Sequence, residues 1–181
     1  MTVENQMDLF RREFANLRRF AERALEQVND EDFFSAPGPA DNSLAVLVKH
    51  MAGNMRSRWR DFLSTDGEKP DRDRDGEFEI AEGASRGVLM AAWEKGWGHL
   101  FAALDPLIDD DLARTVTIRK ERFTVLQAVQ RQMSHYAFHV GQIVFLAKHF
   151  AGDDWKSLTI PKGESKNFNA TPKSYLRPES S

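Results

Sequence analysis

The sequence contains no cysteine, and this absence excludes disulfides, thiolate metal sites and a cysteine nucleophile together. Any thiol chemistry would have to arrive with a ligand. Long apolar runs are also missing, since no stretch approaches the roughly 18 residues that a membrane span needs. The N-terminus is charged from Glu4 onward and has no apolar signal core. We therefore expect a cytoplasmic protein with no membrane partner.

Positive charge is not in surplus, because 25 Lys and Arg stand against 28 Asp and Glu, for a formal net charge of -3. Nucleic-acid binding generally relies on a surplus of basic residues. We therefore expect no nucleic-acid partner. The hydrophobic fraction of 41% is ordinary for a globular protein, and 181 residues are enough for one domain with a sizeable core.

Apolar residues recur at three- and four-residue steps in four long stretches, which predicts four amphipathic helices. Thr124 followed by Gln127 matches a capping box at the start of the last helix, and Gly152 is typical of its end. The predicted helices cover residues 3–29, the stretch from the Asp41–Ser43 cluster to Leu63, about Ala84 to Leu104, and Thr124 to Ala151.

This pattern predicts an all-α fold, a four-helix bundle over residues 1–152. Before the fourth helix, the alternating segment "RTVTIRKERFTV" favours a short hairpin or an irregular extended link. Residues 153–181 lack periodicity, yet aromatic and aliphatic side chains punctuate them. We expect an ordered irregular C-terminal tail that packs on the bundle or on a partner subunit.

Two of the five histidines, His135 and His139, lie four residues apart within the fourth helix. That spacing places both on one face with Cβ atoms about 5 to 6 Å apart, from which two imidazoles can converge on a metal. A third ligand would have to come from another helix, and His50 has small neighbours, Gly53 and Asn54, that leave room near its ring. The alternative is a pair of core histidines satisfied by ordinary hydrogen bonds.

Tyr136 occupies the position where the metalloprotease motif HExxH has its glutamate, which argues against a zincin-like protease. We expect no carboxylate beside the proposed ligands. Asn54 and Gln142 are candidates to orient a ring or bind a substrate, or else to be core polar groups with local hydrogen bonds. Imidazole ligands admit several divalent metals, of which zinc and nickel are expected.

The segment "DRDRDGEFEIAE", Asp71 to Glu82, matches the EF-hand calcium loop at its acidic and glycine positions. Its context is poor, because Pro70 precedes it directly and Gly67 interrupts the helix that should lead into it. Two interpretations stay open: a calcium site, or an acidic linker neutralised by arginine through local salt bridges.

A histidine early in helix 2, a polar linker, a Trp-rich helix 3 and an HxxxHxxQ pattern in helix 4 together resemble the DinB-like superfamily of bacterial proteins. The segments "VLVKHMAGNMRSRWRDFL", "TDGEKP", "DRDGEF" and "SLTIPKGES" resemble an uncharacterised, domain-of-unknown-function branch of it. The resemblance covers most of the chain. It implies a four-helix bundle, usually dimeric, in which His50, His135 and His139 bind a divalent metal.

Relatives implied by the resemblance include bacillithiol transferases and mycothiol-dependent maleylpyruvate isomerase. They imply a metal-dependent thiol S-transferase or isomerase, in which a low-molecular-weight thiol attacks a small electrophilic substrate at the open metal position. Water at that position would support hydrolysis instead. The other broad hypothesis is a non-catalytic metal- or ligand-binding bundle with a stress-related role. Helix 1 or the aromatic tail could supply a homodimer surface.

Overall fold

The structure, a computed structural model, describes residues 5–171 and is mostly helical. The all-α prediction is thus confirmed at that level, with one small antiparallel hairpin added. The helices are α1 Gln6–Leu25, α2 Asp30–Phe34, α3 Leu44–Trp59, α4 Arg86–Leu104, α5 Val125–Ala151 and α6 Ser165–Ala170, and the strands are β1 Thr115–Ile118 and β2 Glu121–Thr124.

Short polar side chains define where the long helices begin. Ser43 accepts a hydrogen bond from the Val46 amide at the start of α3. At the start of α5, Thr124 and Gln127 form the reciprocal capping box that the sequence predicts. Gly152 ends α5 with a φ of 54°, a left-handed value that favours glycine, so this prediction is also confirmed.

Two predicted helix ends are wrong. The first long helix ends at Leu25 rather than at residue 29, because the Asn29 side chain caps a separate short helix, α2. The second ends at Trp59 rather than at Leu63, since Arg60 is extended and Asp61 has a φ of 50°. The predicted helix start at residue 3 lies outside the described residues.

The four long helices pack around one apolar core, with α1 against α5, α3 against α4, and α3 also against α5. Aromatic rings fill its centre. Phe14 meets Trp59 and Tyr136 edge to face, and Tyr136 meets Trp97 in the same way. All four side chains are buried. Helix α3 is therefore held between α4 on one side and α5 on the other, and the α3–α5 contact carries the site described below.

The segment before α5 is a hairpin, in which Thr115 pairs with Thr124 and Ile118 with Glu121. Its two-residue turn consists of Arg119 and Lys120, whose φ values of 54° and 67° are typical of the turns that match strand twist. Asp66 holds this turn from outside by accepting hydrogen bonds from both turn amides, at 2.8 and 2.7 Å.

The first part of the predicted tail contacts the helices. Leu158 is buried, and Trp155 packs on the core. The Leu158 carbonyl accepts from Arg23, and the Lys156 amide donates to Gln27 on the segment after α1. Residues 172–181 of the predicted tail lie outside the described part of the chain. Among residues 5–171, no helix is long and apolar enough to cross a membrane.

Candidate metal centre

Three histidines from two helices meet at the α3–α5 contact. His50 of α3 has its ring centroid 4.9 Å from that of His139 and 5.6 Å from that of His135. One nitrogen of each ring lies within 4.8 Å of the others. His50 and His139 are buried and His135 is partly buried. The structure therefore brings together the three residues that the sequence selects, and this buried group could hold a metal ion.

Hydrogen bonds to the outer nitrogens orient two of the rings. His50 Nδ1 lies 2.9 Å from Glu77 Oε2, and His139 Nδ1 lies 2.8 Å from Gln142 Oε1. A carboxylate and an amide oxygen only accept, so both Nδ1 atoms carry the proton and donate. In a neutral ring with this tautomer, Nε2 has the lone pair that metal ligation requires.

The inner nitrogens of the second pair converge, since His135 Nε2 lies 3.0 Å from His139 Nε2. Two ligands bonded to one ion at about 2.0 to 2.1 Å stand roughly 3 Å apart or slightly more, so the spacing fits a shared metal. In the absence of an ion, the same distance allows one ring to donate a hydrogen bond to the other. The donor set of three imidazole nitrogens suits zinc, nickel, copper and iron alike.

Glu77 is the carboxylate that sequence reasoning missed. Its two oxygens accept a pair of hydrogen bonds from Arg72, both 2.8 Å long, and Oε2 also accepts one from His50. Burial acts to raise the pKa of Glu77, but the hydrogen bonds from Arg72 and His50 outweigh it and lower the pKa. The expectation that no carboxylate stands beside the ligands is wrong: an ionised one orients His50 directly.

Gly53 makes room for that carboxylate rather than for the histidine ring. A Cβ at Gly53 would collide with the side chain of Glu77, whose Cδ would stand 2.7 Å from it. The buried Glu77 therefore depends on a glycine one turn after His50.

Of the two residues predicted to orient a ring or bind a substrate, Gln142 contacts a histidine and Asn54 does not. Gln142 contacts His139 directly, one helical turn away on α5. Asn54 instead accepts a 2.9 Å hydrogen bond from the buried Tyr136 hydroxyl, which in turn accepts one from Trp59 Nε1 at 3.0 Å. Asn54 therefore matches the alternative of a core polar group, and it orients an aromatic side chain rather than a histidine.

The two histidines of α5 are kept neutral. Burial, followed by the charges of His139, His50, Arg58 and Arg72, lowers the pKa of His135 to about 3. Burial also lowers the pKa of His139, although its hydrogen bond with Gln142 opposes the shift. A lowered pKa means that these two rings are uncharged near neutral pH, so a metal would bind a neutral imidazole rather than compete with a cationic one.

The segment that matches a calcium loop has its carboxylates engaged elsewhere. Asp71 pairs with Arg60 at 2.7 Å and with Arg56, and Asp73 accepts from the Gly76 amide. Within residues 5–171, the loop acids do not form a cluster of potential metal ligands, and the three histidines do. These ion pairs favour the interpretation of an acidic linker neutralised by arginine.

Comparison with protein families matches residues 2–164 to a family described as a protein of unknown function, DUF1572. The chain belongs to the DUF1572 family. The match fits an uncharacterised branch, as the resemblance implied, and it leaves membership of the DinB-like superfamily as a proposal. Comparison with curated proteins finds no match.

Sequence reasoning about this DUF1572 chain overlooked Glu77 and Arg72 because both lie inside the calcium-loop pattern. Glu77 is 27 residues from His50, so local spacing could not link them. One signal was present: Gly53 stands one turn after His50 in α3, where a small residue allows a side chain from another segment to approach.

Proposed function

We propose that the protein is a divalent-metal-dependent enzyme of the DinB-like type that transfers a low-molecular-weight thiol to a small electrophile. In this proposal the long helices form a four-helix bundle, and His50, His135 and His139 hold zinc or nickel. One observation carries it: one nitrogen of each ring lies within 4.8 Å of the others, while Glu77 and Gln142 engage the Nδ1 atoms of His50 and His139.

Three protein ligands leave a coordination position open, and an ion held there would favour the deprotonated form of a thiol that reaches it. The chain has no cysteine, so the thiol must be a separate molecule. The protein's own part is to fix the ligand set. Glu77 and Gln142 hold two rings in one tautomer, and Phe78 packs on the His50 ring at a centroid distance of 4.6 Å.

The first measurement is metal content. Chelator-treated protein is dialysed against zinc or nickel, and bound metal is measured by elemental analysis beside His50→Ala. We expect about one ion per chain in the wild type and loss of tight binding in the variant, because two histidines seldom hold a metal alone. His99→Ala, a change on α4 outside the group, is the matched control. Equal metal content in all three proteins would contradict the site.

The second measurement is activity. Metal-loaded and metal-free proteins are mixed with a panel of bacterial thiols and electrophiles such as monobromobimane or halogenated aromatics, and loss of the electrophile is followed. We expect consumption above the uncatalysed rate only when metal and thiol are both present. Activity with metal and no thiol would indicate hydrolysis by water instead. A silent screen together with sharply lower stability of His50→Ala would favour a non-catalytic metal-binding protein.

The proposal includes a homodimer, as the resemblance implies. Light scattering on the purified full chain tests it directly, and a monomer at micromolar concentration would remove the dimer from the proposal without affecting the metal site.

A further inference from the structure

The three histidines are among the residues that line a cavity of about 260 Å³. Within residues 5–171, five arginines also line it, and no aspartate or glutamate does. These arginines are Arg58, Arg72, Arg74, Arg119 and Arg131. The concentration of positive charge is unexpected in a chain whose formal net charge is -3. A single-sign cavity of this kind raises the local concentration of ligands of the opposite charge.

Helix geometry places two of the arginines at the same end of the histidine group. Helix α3 carries His50 and, eight residues later, Arg58, whereas α5 carries Arg131 eight residues before His139. The helices run antiparallel, because His50 meets His139 while Asn54, further along α3, meets a residue earlier on α5. Arg58 and Arg131 therefore both lie beyond the histidines in one direction, within about two or three helical turns.

The nearby carboxylates do not neutralise this charge. Glu77 is occupied by Arg72 and His50. Glu68 is shared among three arginines, at 3.2 Å from Arg72, 3.2 Å from Arg119 and 3.8 Å from Arg58. Two carboxylates are thus shared, through hydrogen bonds and ion pairs, among three arginines and one histidine.

The remaining two arginines of the cavity pack against aromatic rings. The Arg131 guanidinium lies 5.4 Å from the centre of the Phe123 ring and makes no ion pair with a described residue. Arg74 lies 5.5 Å from the Phe78 ring, and its nearest carboxylate, on the exposed Asp75, is 3.9 Å away. A stacked guanidinium keeps its hydrogen-bond donors for another partner.

Arg58 is the most informative of the five. Its side chain is 4% exposed, and its Nε and Nη1 atoms are buried without a hydrogen-bond partner. Burying a guanidinium whose donors are unpaired is unfavourable, and native proteins satisfy such groups unless a ligand does so. The Arg58 side chain thus lines the cavity and has unpartnered donors of the kind that an anion satisfies.

We propose that this cavity is the substrate pocket and that it selects a small organic anion, whose carboxylate or phosphate is bound by Arg58 and Arg131 next to the three histidines. Planar guanidinium groups match both kinds of anion through paired hydrogen bonds. The volume equals about nine water molecules in the liquid, which is enough room for a small acid. The inference rests on the proposed function only where it calls the anion a substrate.

Calorimetric titration of the full chain with malonate and, separately, inorganic phosphate tests the pocket. Both metal-free and zinc-loaded proteins are used, with sodium chloride at matched ionic strength as the blank. We expect saturable binding of at least one anion to the metal-free protein. The tighter of the two identifies the group that the pocket prefers. Absence of saturable binding in both metal states would overturn the inference.

Arg131→Gln is expected to weaken that binding at least about tenfold, since a charge-assisted hydrogen-bond pair is lost. The matched control is Arg122→Gln, an exposed arginine on β2 that does not line the cavity. Equal weakening in both variants would overturn the inference, because general surface charge would then explain the binding. Binding that appears only with zinc and is insensitive to Arg131→Gln would overturn it too, since the ion alone would account for it.

Arg58→Met gives an independent readout. We expect it to abolish anion binding while leaving the thermal midpoint of the ligand-free protein unchanged or higher, because a buried guanidinium whose ion pair with Glu68 is 3.8 Å long is replaced by an apolar chain. Retained anion binding in a folded variant would overturn the role of Arg58. If the thiol screen is silent but the anion results hold, only the proposed function fails. If metal and thiol activity hold without anion binding, only the pocket fails.

Discussion

The α3–α5 contact contains two neighbouring polar regions that differ in how completely their hydrogen bonds are made. In one, Trp59, Tyr136 and Asn54 form a continuous chain of hydrogen bonds, although the buried Nε1 of the neighbouring Trp97 has no partner among residues 5–171. In the adjoining cavity, Arg58 and Gln132 are buried with atoms that have no partner. His135 and Tyr136 are consecutive residues, yet His135 lines the cavity and Tyr136 belongs to the chain of hydrogen bonds. We expect the chain of Trp59, Tyr136 and Asn54 to stabilise the fold, whereas our proposal assigns the unpartnered Arg58 to anion binding.

The largest effect on stability should come from the aromatic centre. Trp97→Ala removes a fully buried ring and should reduce the free energy of unfolding by about 3 to 5 kcal/mol in urea titrations. Phe145→Ala, on a side chain that is 73% exposed, should change it by less than about 0.5 kcal/mol. Similar values for the two would show that the aromatic residues are not the main source of stability.

The largest effect on metal binding should come from the cavity. His135→Ala removes one of three ligands and should weaken zinc binding by at least about 100-fold in competition with a chromophoric chelator. With metal removed by a chelator, His135→Ala should reduce the free energy of unfolding by less than Trp97→Ala does. His149→Ala, an exposed histidine of the same helix, is the control and should bind zinc as the wild type does. Unchanged affinity in His135→Ala would contradict the site.

Glu77→Gln should change both zinc affinity and the stability of the fold. The amide can no longer accept charge-assisted bonds from both His50 and Arg72, so zinc affinity should fall about 10- to 100-fold. Loss of the buried ion pair should also lower the free energy of unfolding by about 1.5 to 3 kcal/mol. Glu79→Gln, two residues away and exposed, should affect neither property. A stability loss with unchanged zinc affinity would show that Glu77 does not orient His50.

Tyr136→Phe sharpens the comparison because it breaks the chain of hydrogen bonds through Tyr136 without touching the histidines. It leaves the buried Trp59 N–H and the Asn54 oxygen without their partner, which should lower the free energy of unfolding by about 1 to 3 kcal/mol. Zinc affinity should change less than about threefold if only fold stability depends on this chain. A larger change, measured by the same chelator competition, would show that the two regions are coupled.

The smallest effect concerns the hairpin turn that carries Arg119. Although burial opposes the shift, hydrogen bonds from three backbone amides lower the pKa of Asp66. This contribution to stability is complete above the unfolded pKa and is lost as the pH falls through the folded one. Asp66→Asn should lower the free energy of unfolding by about 1 kcal/mol at neutral pH and flatten its decline in acid. Urea titrations from neutral to acidic pH measure the free energy of unfolding and its dependence on pH. An equal decline in acid for the wild type and Asp66→Asn would show that Asp66 does not contribute to the pH dependence.

Features that depend on neighbours along the chain were predictable. The capping box of Thr124 and Gln127, the end of α5 at Gly152 and the pairing of His135 with His139 all follow from spacings of a few residues. The true helix ends at Leu25 and Trp59 were not predictable from apolar periodicity, because the apolar pattern continued to Val28 and to Leu63. The position of Asn54 beside His50 suggested a role at the site, but packing turned it toward Tyr136.

By itself, the sequence determined the helical class, the start and end of α5 and the one-sided presentation of two histidines, since each depends on local backbone geometry and side-chain periodicity. Only the tertiary structure decided that Glu77 meets His50 and that five arginines from four separate stretches share one cavity. The physical reason is distance along the chain: an overall charge of -3 says nothing about where charges gather, because packing of remote segments sets the local field.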